Sequence, residues 1–102
     1  MSVTVEFHRL AAAELVAARR LYRRAGPAAE ARFMAAVRAA VGRIETFPAA
    51  GSPSVGSCRW VRVPRYRYLL HYRPISPDVY EVVSVAHSSR RPGYWVRRTR
   101  RP

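Results

Sequence analysis

The chain predicts an α+β fold, ordered β-α-α-β-β-β, with a helical hairpin packed on one face of an antiparallel sheet. Three observations predict it. An alternating segment opens the sequence. Two Ala-, Leu- and Arg-rich segments follow, separated by little more than Gly26-Pro27. Three alternating apolar segments, broken by turn residues, close it.

Each element has a local reason. Val3, Val5 and Phe7 alternate with Thr4, Glu6 and His8, the period of a half-buried strand. Residues 9–25 are good helix formers, and Leu10, Leu15, Ala18, Leu21 and Tyr22 are expected to share a face. Gly26 ends this helix, and Pro27 suits the first turn of the next. In the second helix Phe33, Met34, Val37, Val41 and Ile44 form an apolar stripe, with Arg32, Arg38 and Arg43 off its centre. Glu30 lies near its N-terminus, where negative charge is favoured, and Pro48 stops it. The short link makes the pair an antiparallel hairpin.

Pro48 to Ser57 reads as a loop, and Cys58 to Val63 as the second strand. Tyr66 to Arg73 is the third, with Tyr66, Tyr68, Leu70 and Tyr72 on one face. Pro74 to Asp78 is a hairpin turn, and Val79 to Ala86 the last strand. The helices leave the other sheet face open, with Arg67, Leu69 and Arg73 expected there. Residues 1–95 form one domain, and 96–102 a basic tail expected to be mobile.

Composition narrows function. At 102 residues and 49% apolar content, the chain can bury one modest core. Cys58 is alone, which excludes an intrachain disulfide and a cysteine metal cluster. His8, His71, His87 and Cys58 lack ligand spacing, so no metal or other cofactor is expected. No signal peptide or bilayer-spanning run is read, and a cytoplasmic location without membrane contact is expected. The net charge is +13, and all nineteen basic residues are arginine. A G- and C-rich genome would account for arginine in place of lysine. It does not account for only six acids. The charge therefore asks for a polyanion or an acidic protein as partner.

Four motifs carry a resemblance over nearly the whole chain. They are Ala12-Ala13-Glu14-Leu15 on helix one, and Ile44-Glu45-Thr46-Phe47-Pro48 followed by Gly51. The third is the hairpin Arg62 to Arg73 with its recurring tyrosines. The fourth is the ending His87-Ser88-Ser89-Arg90-Arg91-Pro92-Gly93-Tyr94-Trp95. Together they resemble the RelE/ParE superfamily of bacterial type II toxins, more closely the ParE branch.

The resemblance implies a toxin neutralised by a separately encoded antitoxin, with which it forms a hetero-oligomer. It also implies one of two targets. ParE-branch members poison DNA gyrase without nuclease chemistry, whereas RelE-branch members cleave messenger RNA on the ribosome. The nuclease branch would place arginine directly after Tyr68, where this chain has Leu69, and a basic residue where it has Ser88. Pairing Tyr66 with Arg67 instead would restore one arginine at the expense of the match at Tyr72.

The expected target-binding set is Arg62, Arg65, Arg67, Arg90, Arg91, Tyr94 and Trp95. Were the chain a nuclease, the catalytic set would be Arg62, Arg67, His87, Arg90 and Tyr94. Blander roles stand beside these. His87 is expected to bond its own loop, and Arg90 either binds phosphate or braces the C-terminal turn against Glu14 or Glu81. Trp95 is expected to cover the core edge. The leading expectation is gyrase inhibition by direct binding, with an antitoxin of acidic contact surface across the open sheet face and helix hairpin. The alternatives are a ribosome-dependent endoribonuclease and an inactive antitoxin-binding module.

Overall fold

A computed structural model describes residues 2–100. The elements run β1 (Thr4–Phe7), α1 (Arg9–Arg23), α2 (Pro27–Thr46), β2 (Ser52–Pro53), β3 (Arg59–Arg62), β4 (Tyr68–Ser76) and β5 (Val79–His87). A 3-10 turn at Val96–Thr99 follows. This is the expected α+β order, with one short added strand. Among the described residues no helix is long and apolar enough to cross a membrane.

The helix boundaries follow their local signals. The His8 Nδ1 caps α1 by accepting from the Leu10 N–H. Gly26, at φ 127°, turns the chain, and Pro27 opens α2. Glu30 does more than complement the helix dipole. Its carboxylate accepts from both Arg19 and Arg23, joining the two helices.

The packing face of α1 departs from expectation. Ala11 and Ala18 are buried and Leu15 and Tyr22 pack beside them, whereas Leu10 and Leu21 are exposed. Small alanines let the backbone approach the sheet, and the bulky leucines fall on the adjacent face. In α2, Phe33, Val37, Ala40 and Ile44 are buried, as their spacing requires. They meet Val61, Val63, Leu70, Tyr72, Val82 and Val85 of the sheet side.

The sheet order is β1-β5-β4-β3-β2. Its antiparallel character holds for every pair but one, because β1 runs parallel to β5, from Thr4↔Val79 to Phe7↔Val82. Hairpin links fix the direction only of consecutive strands. The first strand reaches the last through the whole helical layer, so its direction is a tertiary matter.

Smaller corrections concern loops. The loop expected from Pro48 to Ser57 contains β2, which pairs with β3. Tyr66 lies in the turn before β4 rather than on the strand, and Arg65 there adopts φ 72°. The strand β4 continues through Pro74 to Ser76, so the turn tightens to Pro77-Asp78. A register shift between Pro74 and Ser76 accommodates the missing N–H.

The face away from the helices is partly covered rather than open. Trp95 is 3% exposed and stacks on His71 with ring centroids 3.7 Å apart. Cys58 and Val83 complete this second small cluster. Arg73 is not free for a partner either. It pairs with Glu81 and donates to the Thr99 carbonyl at 2.9 Å. Within the basic tail, Thr99 and Arg98 bond to Arg73 and to the Val83 carbonyl, whereas Arg97 and Arg100 are exposed and Arg101 and Pro102 lie outside the described residues.

Candidate target-binding surface

Strand β1 ends at Phe7, beside Val82, and leaves the rest of the β5 edge without a neighbouring strand. Side chains take its place. The Glu14 carboxylate accepts from the Val85 N–H at 2.9 Å, and the Arg98 guanidinium donates to the Val83 carbonyl at 2.9 Å. Arg98 also forks onto Glu14, at 2.9 and 2.8 Å. The Tyr94 hydroxyl donates to the same carboxylate at 2.7 Å. Burial works to raise the Glu14 pKa, but the bonds from Arg98, Val85 and Tyr94 outweigh it and hold the carboxyl below its ordinary value.

This clasp fixes the C-terminal segment over the sheet and leaves a cleft of about 340 Å³. Trp60, Leu69, His71 and Ala86 line it from the strands, and Ser54 and Val55 from the loop before β3. Arg90, Arg91, Pro92, Tyr94 and Trp95 line it from the C-terminal segment. Its apolar walls beside two exposed guanidinium groups suit a partner with an apolar anchor and neighbouring negative charge.

The groups within it differ in chemical readiness. Burial pushes the His71 pKa down to about 4, and Ser54 Oγ lies 3.1 Å from its Nδ1. His71 is therefore neutral at neutral pH. Burial first, then the bond and charge of Glu14, push the Tyr94 phenol up to about 12. The Arg90 guanidinium lies 3.9 Å from the Tyr94 ring centroid and is otherwise exposed.

The residues expected from sequence fall into two groups. Arg90, Arg91, Tyr94 and Trp95 meet at the cleft, and His87 stands at its margin. There the His87 Nδ1 accepts from the Ser89 N–H at 3.1 Å, the local role expected for it. Its ring stands edge-on to Tyr68. Arg62, Arg65 and Arg67 are exposed, but none of them lines this cleft. Arg90 braces neither expected acid, since Glu14 takes Arg98 and Glu81 takes Arg73. Trp95 does cover the core edge, as expected.

Sequence reasoning missed Arg98, which looked like one more basic residue of a tail. It also missed Trp60 and His71 as cleft residues. Their alternation with Val61 and Leu70, which face the helices, was the available signal.

Comparison with known proteins bears on what this surface belongs to. Residues 5–92 match the family described as ParE toxin of type II toxin-antitoxin system, parDE. The chain belongs to the ParE toxin family. The match spans β1 through the start of the cleft-covering segment. Comparison with curated proteins finds no match. Among solved structures, the chain is similar to one titled "Chromosomal ParDE TA system from P. aeruginosa". The likeness has a TM-score of 0.71 at 17% identity, covering 84% of this chain and 96% of the other. At that identity it attests the fold. As a ParE-family member, the protein is the toxin component of a type II toxin-antitoxin system.

Proposed function

We propose that this ParE-family toxin inhibits DNA gyrase in the cytoplasm by direct binding, through the cleft and its rim of Arg90 and Arg91. A cognate antitoxin with an acidic contact surface neutralises it in a hetero-oligomer. The observation that carries the binding reading is the state of Tyr94. A nuclease of this architecture without a carboxylate base needs cations and a phenol to hold phosphate and move protons. Here the phenol hydroxyl is spent on Glu14, and its pKa is pushed up to about 12. Leu69 and Ser88 stand where the nuclease pattern has cations.

The test is gyrase supercoiling of relaxed plasmid with and without purified toxin. Inhibition relieved by the antitoxin is expected. Undiminished supercoiling at saturating toxin, with codon-positioned messenger cleavage in a translating extract, would replace this reading with the nuclease one.

A further inference from the structure

A second basic surface lies between α2 and the β3 side of the sheet and adjoins the cleft at Trp60. One groove, of about 650 Å³, is lined by Arg32, Ala35, Ala36, Ala39, Pro64, Arg65 and Tyr66. A neighbouring groove, of about 330 Å³, shares Pro64 and is flanked by Arg43 and Arg62. The four arginines are exposed, and among the described residues none forms an ion pair. No carboxylate lines either groove. By contrast Arg19, Arg23, Arg73 and Arg98 each have a glutamate. Ten other described arginines, Arg90 and Arg91 among them, also lack an ion pair, so what marks this track is the gathering of four free guanidinium groups along two adjoining grooves.

We propose that the track of Arg32, Arg43, Arg62 and Arg65 binds the phosphate backbone of duplex DNA. Four guanidinium groups on one continuous surface match a regularly charged rod, because each forks onto phosphate oxygens. The groove along α2 is lined by Ala35, Ala36 and Ala39, whose small side chains let a sugar-phosphate backbone approach the flanking arginines closely. Its one aromatic lining residue, Tyr66, is engaged edge-on with Tyr22 and Phe33, at 5.2 and 5.1 Å. The neighbouring groove adds only Trp60, which is half-buried, so stacking platforms are few and a duplex is favoured over a single strand. Protein recognition falls to the aromatic cleft and DNA contact to this track. The inference does not depend on which enzyme the toxin poisons.

The test is fluorescence anisotropy of the full chain with a short labelled DNA duplex over a salt series. Four neutralised phosphates give a slope of log affinity against log salt of about −3 to −4. The variant R32A/R43A/R62A/R65G should flatten that slope by about 3 to 4 and weaken binding at low salt by more than about tenfold. Glycine is used at Arg65 because that residue already sits at φ 72°. The all-lysine variant at the same four positions should retain the slope, which separates lost charge from lost fold. The double variant R90A/R91A should bind duplex as the unaltered chain does.

Four results would each overturn the proposal. They are no duplex binding at low salt, an unchanged slope in the Ala/Gly variant, equal loss in the all-lysine variant, and loss in R90A/R91A instead. The first, with affinity for the antitoxin reduced in the Ala/Gly variant, would assign the track to an acidic protein segment.

Discussion

Glu14 and Arg98, 84 residues apart in sequence, together complete the edge of β5 that β1 is too short to cover. One carboxylate receives a backbone N–H, a phenol and a forked guanidinium, and the guanidinium also serves the backbone carbonyl of Val83. Both side chains are mostly shielded, at 17% and 13% exposure. The pair ties the 3-10 turn to the first helix, next to the Tyr94-Trp95 segment that lines the cleft.

Removing either partner should therefore be costly. Glu14→Gln or Arg98→Ala leaves the other group shielded and under-paired, and each should lose about 2–4 kcal/mol of stability. The double variant should lose clearly less than the two losses added, because one interaction is being removed twice. Urea unfolding of the four proteins measures this. Additive losses would show that the pair is not a unit.

Tyr94 anchors rather than reacts. Tyr94→Phe keeps the ring under Arg90 and removes only the hydroxyl bond to Glu14. Stability should fall by about 1 kcal/mol, with gyrase inhibition retained at saturating toxin. Growth arrest and supercoiling assays check the second half. Abolished inhibition by a well-folded Y94F protein would return the hydroxyl to the chemistry.

Acid should weaken the fold in two stages. His71 is held neutral by burial, with its pKa pushed down to about 4 from an ordinary 6.5. Between those values the unfolded chain binds the extra proton and the folded one does not. Stability then falls as pH drops through that window, by up to about 3 kcal/mol. Glu14 has a lowered pKa, so its contribution persists above the ordinary carboxylate range and is lost as pH falls below it. Chemical unfolding at a series of pH values should show both losses. His71→Phe should remove the upper one, and a profile unchanged by that substitution would exclude His71 as its source.

Gly51 tolerates no side chain. A Cβ there would collide with the Tyr72 hydroxyl and lie 3.0 Å from the Trp60 carbonyl oxygen. That hydroxyl accepts from the Gly51 N–H at 3.2 Å and donates to the Pro48 carbonyl at 2.7 Å, pinning the loop after α2 to β4. Gly51→Ala should lower stability by about 1–3 kcal/mol, the usual range for overpacking. Combining it with Tyr72→Phe should recover part of that loss, since the nearest clash disappears. Thermal unfolding of the single and double variants provides the check.

The local layer of this architecture was legible. Gly26-Pro27 and Pro48 bound the helices because those residues act on the chain within one turn. The stripe from Phe33 to Ile44 is buried because helix geometry alone places those side chains on one face. The C-terminal motif was recognisable, and seven of its nine residues line the cleft. The placement of Leu10 and Leu21 was not legible, because alanine can serve as the packing residue wherever backbone approach is close.

By itself the sequence determined the order of elements, the helix ends, the strand alternation and the family. Each of these depends on neighbours in the chain or on a contiguous motif. Tertiary structure alone decided that β1 lies parallel to β5, that Arg98 rather than Arg90 answers Glu14, and that Arg90 and Arg91 line the aromatic cleft while Arg32, Arg43, Arg62 and Arg65 line the grooves beside it. The physical reason is that pairing across many residues depends on which surfaces the folded layers bring together. Nineteen chemically identical guanidinium groups carry no local mark of which will find a carboxylate.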